Sequence, residues 1–162
     1  MQIEKTQYAD LEQIMNVYAF ATQLMRQSGN YQQWTNGYPA KEIVLQDIEN
    51  GNSYICKENS TIVGVFCFFV GEEPTYAKIY NGQWLNDLQY GVVHRLAKGE
   101  NVKNMAQFCL QWTLNQCNNL RIDTHKDNLI MQHILQKMKF TRCGTIYLKD
   151  STPRIAYQKT TF

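Results

Sequence analysis

A chain of 162 residues with 44% apolar and 19% charged side chains is long enough to bury about 70% of its unfolded surface as one domain, which excludes a disordered chain and any need for a staple. Its formal net charge of +2, with no Lys/Arg run, excludes a nucleic-acid footprint. The five cysteines (Cys56, Cys67, Cys109, Cys117, Cys143) are odd in number and lack metal-ligand spacing, so reduced thiols are expected.

Residues 2–6 alternate as a short strand, and Tyr8-Ala9-Asp10 starts a helix. Leu11, Ile14, Met15, Tyr18, Ala21, Leu24 and Met25 then fall at helical spacing, until Gly29-Asn30 stops it. An aromatic, turn-rich loop follows at 31–39, then a second helix at 40–49 with Ile43, Val44 and Ile48 inward. Residues 53–56 and 61–70 read as strands. The second is apolar almost throughout, as expected of a strand covered on both faces. Residues 71–89 are irregular. A strand at 90–97, helix at 101–117, strand at 120–124 and helix at 128–138 come next, closed by strands at 140–148 and 154–158. No repeat or linker interrupts them, so 1–162 is read as a single domain. The start of the chain has no apolar leader segment, and residues 62–70 are far short of the roughly 20 needed to span a bilayer. A cytoplasmic protein without membrane or nucleic-acid partners is expected, as monomer or homodimer.

Three features carry the chemistry. The segment 98–106, Lys-Gly-Glu-Asn-Val-Lys-Asn-Met-Ala, leads from a strand into a helix, whose first N–H groups have no intrahelical partner and sit at the positive end of its dipole. Such a turn suits a pyrophosphate. The strand at 120–124 runs into Thr124-His125-Lys126-Asp127-Asn128, and Phe140 follows Asn128 at a distance of one helix. The loop Gln33-Trp34-Thr35-Asn36-Gly37-Tyr38-Pro39 offers aromatic faces for stacking or sealing.

This order of elements, with the Asn128–Phe140 spacing and the closing hairpin, resembles the GCN5-related N-acetyltransferases (GNAT) over essentially the whole chain. The resemblance implies an α/β (α+β mixed) fold: a mostly antiparallel sheet with a central, splayed parallel strand pair and helices on both faces. It further implies acetyl-CoA as co-substrate and a small-molecule or peptide amine as acceptor, attacked directly without a covalent enzyme intermediate. By resemblance, the cofactor lies along His94-Arg95-Leu96-Ala97. The cofactor-binding residues are then Leu96, Ala97, Lys98, Asn101, Val102, Lys103, Asn104, Met105, Ala106 and Asn128. Trp34, Tyr38 and Glu72 are expected at the acceptor.

An amine of pKa about 10 costs about 4 kcal/mol to deprotonate at pH 7, whereas a thiolate leaving group is only about 2 kcal/mol uphill. A base therefore matters more than an acid. Glu72, Glu73, His94, Asp123 and His125 are the candidate bases. His94, Asp123 and Tyr147 are read as catalytic, Tyr147 standing in for the family's acid tyrosine, whose place is taken by Leu135. Asn104 and Lys139 stand where the family pattern has glycine. These three departures keep open a catalytically silent acyl-CoA-binding or regulatory domain. An interaction module, built on the 34–38 loop and residues 76–84, is a third reading.

Overall fold

Helical spacing of apolar residues sets the first layer. The computed structural model, which describes residues 1–162, buries Ile14, Val17, Tyr18 and Ala21 on one face of α1 (Leu11–Gln27). α2 (Lys41–Glu49) buries Val44 and Ile48 beside them. Both helices pack on a seven-stranded sheet of β1 (Gln2–Lys5), β2 (Ser53–Glu58), β3 (Thr61–Val70), β4 (Gly91–Lys98), β5 (Asn119–Thr124), β6 (Thr141–Tyr147) and β7 (Pro153–Thr160). The strand order is β1-β2-β3-β4-β5-β7-β6. Every neighbouring pair is antiparallel except β4–β5.

The opposite face carries α3 (Met105–Cys117) and α4 (Leu129–Lys137). Met105, Cys109, Leu110, Leu114 and Leu135 there meet Phe66, Phe68, Val93, Leu120 and Ile122 of the sheet. β3 alternates between the layers, sending Val65 toward α1 and Phe66 toward α3, which explains its unbroken apolar run. Register extends the α1 side to residues 71–90. Cys67 pairs with His94 and Phe69 with Val92, so these four share a face, and Tyr76 packs there with Val92, Ile146 and Ala156. The Tyr80 and Thr145 backbones exchange two 2.8 Å hydrogen bonds that pin this segment to β6.

Most element boundaries agree with the sequence reading to within a few residues, but α3 begins at Met105 rather than at Asn101. Asn101 (φ 53°) and Asn104 (φ 57°) are both left-handed, which keeps the helix from starting earlier. Asn128 is the cap of α4 rather than its first residue, its Oδ1 accepting from Met131 N–H at 3.1 Å. All five cysteines are free thiols, as composition suggested. No helix is long and apolar enough to cross a membrane.

Candidate active site

Two irregularities in the sheet make the site. β4 and β5 are paired only at Gly91–Leu120 and Val92–Arg121, and diverge beyond those positions. In addition, Cys67 faces His94 while Val65 faces Ala97, leaving Arg95 and Leu96 opposite Phe66 alone. This is a β-bulge, and Arg95 adopts φ 54° within it. A cleft of about 950 Å³ opens at the divergence, lined by the bulge, the α1–α2 loop, Glu73, the end of β5 and the β6–β7 turn.

The bulge is held by a buried ion pair. Arg95 donates from Nε and Nη2 to the two Asp47 oxygens at 2.8 and 2.7 Å, and from Nη1 to the Tyr38 hydroxyl at 2.9 Å. Asp47 therefore fixes the strained residue to α2 while Tyr38 fixes it to the loop. Burial opposes the charge on Arg95, but neighbouring Tyr38, Cys67 and Asp47 more than compensate and hold it above the ordinary value. Cys67, beneath Asp47, has its thiol pushed up to about 12, chiefly by burial. It is no nucleophile.

His94 and Glu73 form the main acid–base pair, with Nε2 and Oε2 2.9 Å apart. Burial raises the Glu73 pKa, but the His94 hydrogen bond and charge, with the Thr75 N–H and hydroxyl, outweigh it and hold the carboxyl at about 2. An ionised carboxylate only accepts hydrogen bonds, so His94 carries its proton on Nε2 and leaves Nδ1 as the basic atom. Asp123 lies across the divergence and accepts from the Tyr76 hydroxyl at 2.7 Å. Burial, then the Asp123 charge, raises that hydroxyl well above its usual range, so it stays protonated.

The α1–α2 loop closes one wall. Arg26 donates to the carbonyls of Asn30, Gln33 and Trp34 at 2.7–2.8 Å, wrapping the loop around one guanidinium. Trp34 stands edge-on to Tyr18, with Tyr38 6.2 Å beyond. Gln33 Oε1 accepts from Asn128 Nδ2 at 3.0 Å, so Asn128 both caps α4 and tethers the loop.

The β4–α3 turn leaves a run of N–H groups without protein acceptors. Val63 engages only the Gly99 N–H, and the first α3-side hydrogen bond runs from Phe108 N–H to the Asn104 carbonyl. The N–H groups of Lys103, Asn104, Met105, Ala106 and Gln107 have no protein acceptor. Asn104 is exposed and makes no side-chain cap bond, so its amide is not tied down over them. At the mouth of the divergence, the buried Thr124 hydroxyl also lacks a partner. Free N–H groups at one end and an unsatisfied hydroxyl at the other fit a long phosphorylated amide ligand.

A solved acetyltransferase of the GNAT family from Streptococcus agalactiae is 32% identical, and the match covers 99% of this chain and 95% of that one with a TM-score of 0.91. The chain belongs to the GNAT family. Two more distant structures share the GNAT fold: a putative acetyltransferase from Staphylococcus aureus (23% identical, TM-score 0.72, 99% of both chains) and a ribosomal-protein-alanine N-acetyltransferase from Brucella melitensis (14%, TM-score 0.66, 99% and 100%). No protein-family model and no curated protein matches the chain.

The departures from the GNAT pattern now have physical readings. Asn104 (φ 57°) and Lys139 (φ 59°) both sit in the left-handed region that the family's glycines serve, and Asn is the side chain that tolerates it best. Leu135 is fully buried against the α3-side core. The expected residues are partly brought together: Trp34, Tyr38, His94, Leu96, Asp123 and Asn128 line the cleft. Val102 and Met105 are buried below the turn, and Lys98, Asn101, Lys103 and Asn104 are exposed around it.

Two residues lie elsewhere. Glu72 is exposed and outside the cleft, and its neighbour Glu73 occupies the site instead, because the preceding strand ends at Val70 and alternation no longer governs the turn. Tyr147 packs edge-on to Tyr80 in a separate hollow. It faces away from the cleft. Asp47, Tyr76 and Arg154 have no place in the sequence reading, and Arg95 enters it only as part of the cofactor strand; Asp47 left one signal, a carboxylate between Val44 and Ile48 on the apolar stripe of a helix.

Proposed function

We propose that the protein is an acetyl-CoA-dependent N-acetyltransferase that acetylates a small-molecule or peptide amine by direct attack. The observation that carries this reading is the His94–Glu73 pair in a cleft where β4 and β5 part beside a bulge. When bound, acetyl-CoA supplies a thioester carbon activated toward amines. The N–H groups of residues 103–107 would hold its phosphates, with Lys98 and Lys103 adding charge, and the backbone around Leu96 and the Thr124 hydroxyl would hold its amide arm. Backbone N–H groups at the bulge near Leu96 would stabilise negative charge on the carbonyl oxygen.

His94 Nδ1 takes the proton from the incoming ammonium, and the Glu73 carboxylate orients the ring and stabilises the imidazolium. Asp47 and Tyr38 keep the bulge rigid by clamping Arg95. Leu135 holds the place of the family's acid, so the second proton, lost from nitrogen as the C–S bond breaks, would pass to the departing thiolate through solvent, at the modest cost given above.

Calorimetry with acetyl-CoA and thiol release on a panel of amines test the proposal. Tight binding with amine-dependent release is expected, and His94→Gln should lower kcat about 10²–10³-fold with little change in acetyl-CoA affinity. No heat and no thermal shift at millimolar acetyl-CoA would sink the reading. The apolar Leu135 favours the alternative of a silent acyl-CoA binder, for which binding without thiol release is the signature.

A further inference from the structure

The acceptor side of the cleft contains a buried cation that the proposed mechanism leaves idle, beside the exposed Lys149. Arg154, at the start of β7, is 9% exposed, and it lines the cleft with Asp123, Thr124 and the β6–β7 turn. It belongs to no ion pair. Its one hydrogen bond runs from Nη1 to the carbonyl of the preceding Pro153 at 2.9 Å, leaving the rest of the guanidinium fork without a protein acceptor. None of its unpaired nitrogens is sealed inside the protein, so they open onto the cleft, whereas the other buried cleft arginine, Arg95, is closed by a bidentate carboxylate. Burial pushes the Arg154 pKa down, offset only in part by the charges of Asp123 and Asp150.

Its position relative to the base is set by the sheet. Asp123 pairs with Ala156, and Arg154 lies two residues before it on the same face, the face that also presents His94. β4 and β7 are separated by β5 alone, about 10 Å apart before the divergence widens the gap. Arg154 and His94 therefore line the same cleft from two strands, with a space between them that fits a small bifunctional molecule. The Glu73 carboxylate favours the ammonium end on the His94 side, and Arg154 offers a cation with free donors for the other end.

We propose that Arg154 is the acceptor-specificity residue, and that it selects amines bearing a carboxylate a few bonds from the nitrogen: the amino-acid class of acceptor. Its planar fork matches a carboxylate bidentately, with Nε and Nη2 free of any protein acceptor. This inference rests on the N-acetyltransferase reading, in that it names that reaction's substrate class.

The experiment compares L-amino acids with their matched carboxamides, which keep the amine and the side chain but remove the negative charge. Binding to the full-length protein is measured by calorimetry or ligand-detected NMR, and acetyl transfer by thiol release. Acids should bind at least about tenfold better than their amides. Arg154→Gln should erase that preference by raising KM for the acids about 10- to 100-fold, without changing acetyl-CoA affinity or amide binding. Arg154→Lys should restore part of it, which separates a lost charge from a lost fold. Amides bound or acetylated as well as acids, or an equal effect of Arg154→Gln on both, would overturn the proposal, as would failure of every acid to bind at 10-fold above the amide range. The binding arm also separates the two claims: acids held through Arg154 without thiol release would remove the catalytic reading while leaving the receptor in place.

Discussion

Asp47→Ala probes whether the bulge is held by the ion pair or by the sheet alone. The substitution leaves the Arg95 guanidinium, whose side chain is 12% exposed, with only the Tyr38 hydroxyl. Removing one partner of a buried pair costs about 3–5 kcal/mol. The surviving Tyr38 contact puts the expectation at the lower end, about 3 kcal/mol, a large share of the 5–15 kcal/mol typical of a domain. With a urea dependence of about 2 kcal/mol per molar, the unfolding midpoint should fall by about 1.5 M. Replacing both partners by apolar residues, as Asp47→Leu with Arg95→Met, should cost much less than the sum of the single changes, because no buried charge is stranded. Parallel urea titrations of the four proteins complete the double-mutant cycle. A midpoint drop under about 0.5 M for Asp47→Ala, or strict additivity in the cycle, would refute the reasoning: the bulge would then be fixed by strand register.

Three further outcomes are expected. Glu73 titrates at about 2 in the fold against an ordinary 4.5, so its stabilisation is complete above about pH 4.5 and disappears as pH falls through 2. Glu73→Gln should therefore lower stability by about 1–2 kcal/mol at pH 7, and wild type and variant should converge in melts taken toward pH 2. Asn104→Ala should cost about 1 kcal/mol because it keeps a β-carbon at φ 57° without the tolerance of Asn, while Asn104→Gly should be nearly neutral. If Asn104→Gly instead weakens acetyl-CoA binding more than tenfold in calorimetry, the amide is itself a phosphate ligand. Finally, a β-carbon at Gly82 would stand 1.8 Å from the Cys143 carbonyl oxygen, so Gly82→Ala should destabilise by about 1–3 kcal/mol in thermal melts through loss of the 71–90 segment's seat on β6. A variant as stable as the parent would show that this seat is adaptable.

The site was only partly legible beforehand, for reasons that differ from residue to residue. His94 and Asp123 were found because polar groups at the inner ends of strands are chemically conspicuous. Glu73 lies in an irregular turn, where no period indicates which of two adjacent carboxylates points inward. Nothing in the sequence marks the roles of Arg95 and Arg154, since neither the bulge that turns one toward Asp47 nor the pocket that leaves the other unpaired is local. Asn104 stood out only as a departure from the family's glycine, because a sequence shows the side chain but not its φ angle.

By itself, the sequence determined the elements, their order and hence the family, because apolar periodicity and turn residues are local properties of 5–15 residues. It also determined that the phosphate turn carries Asn rather than Gly. Only the tertiary structure decided where β4 leaves β5, which carboxylate meets His94, that Tyr147 turns away from the cleft and that Arg154 stands without an ion-pair partner. Those are pairings between residues some 20 to 60 positions apart, and they depend on register and burial, which no segment of the chain encodes alone.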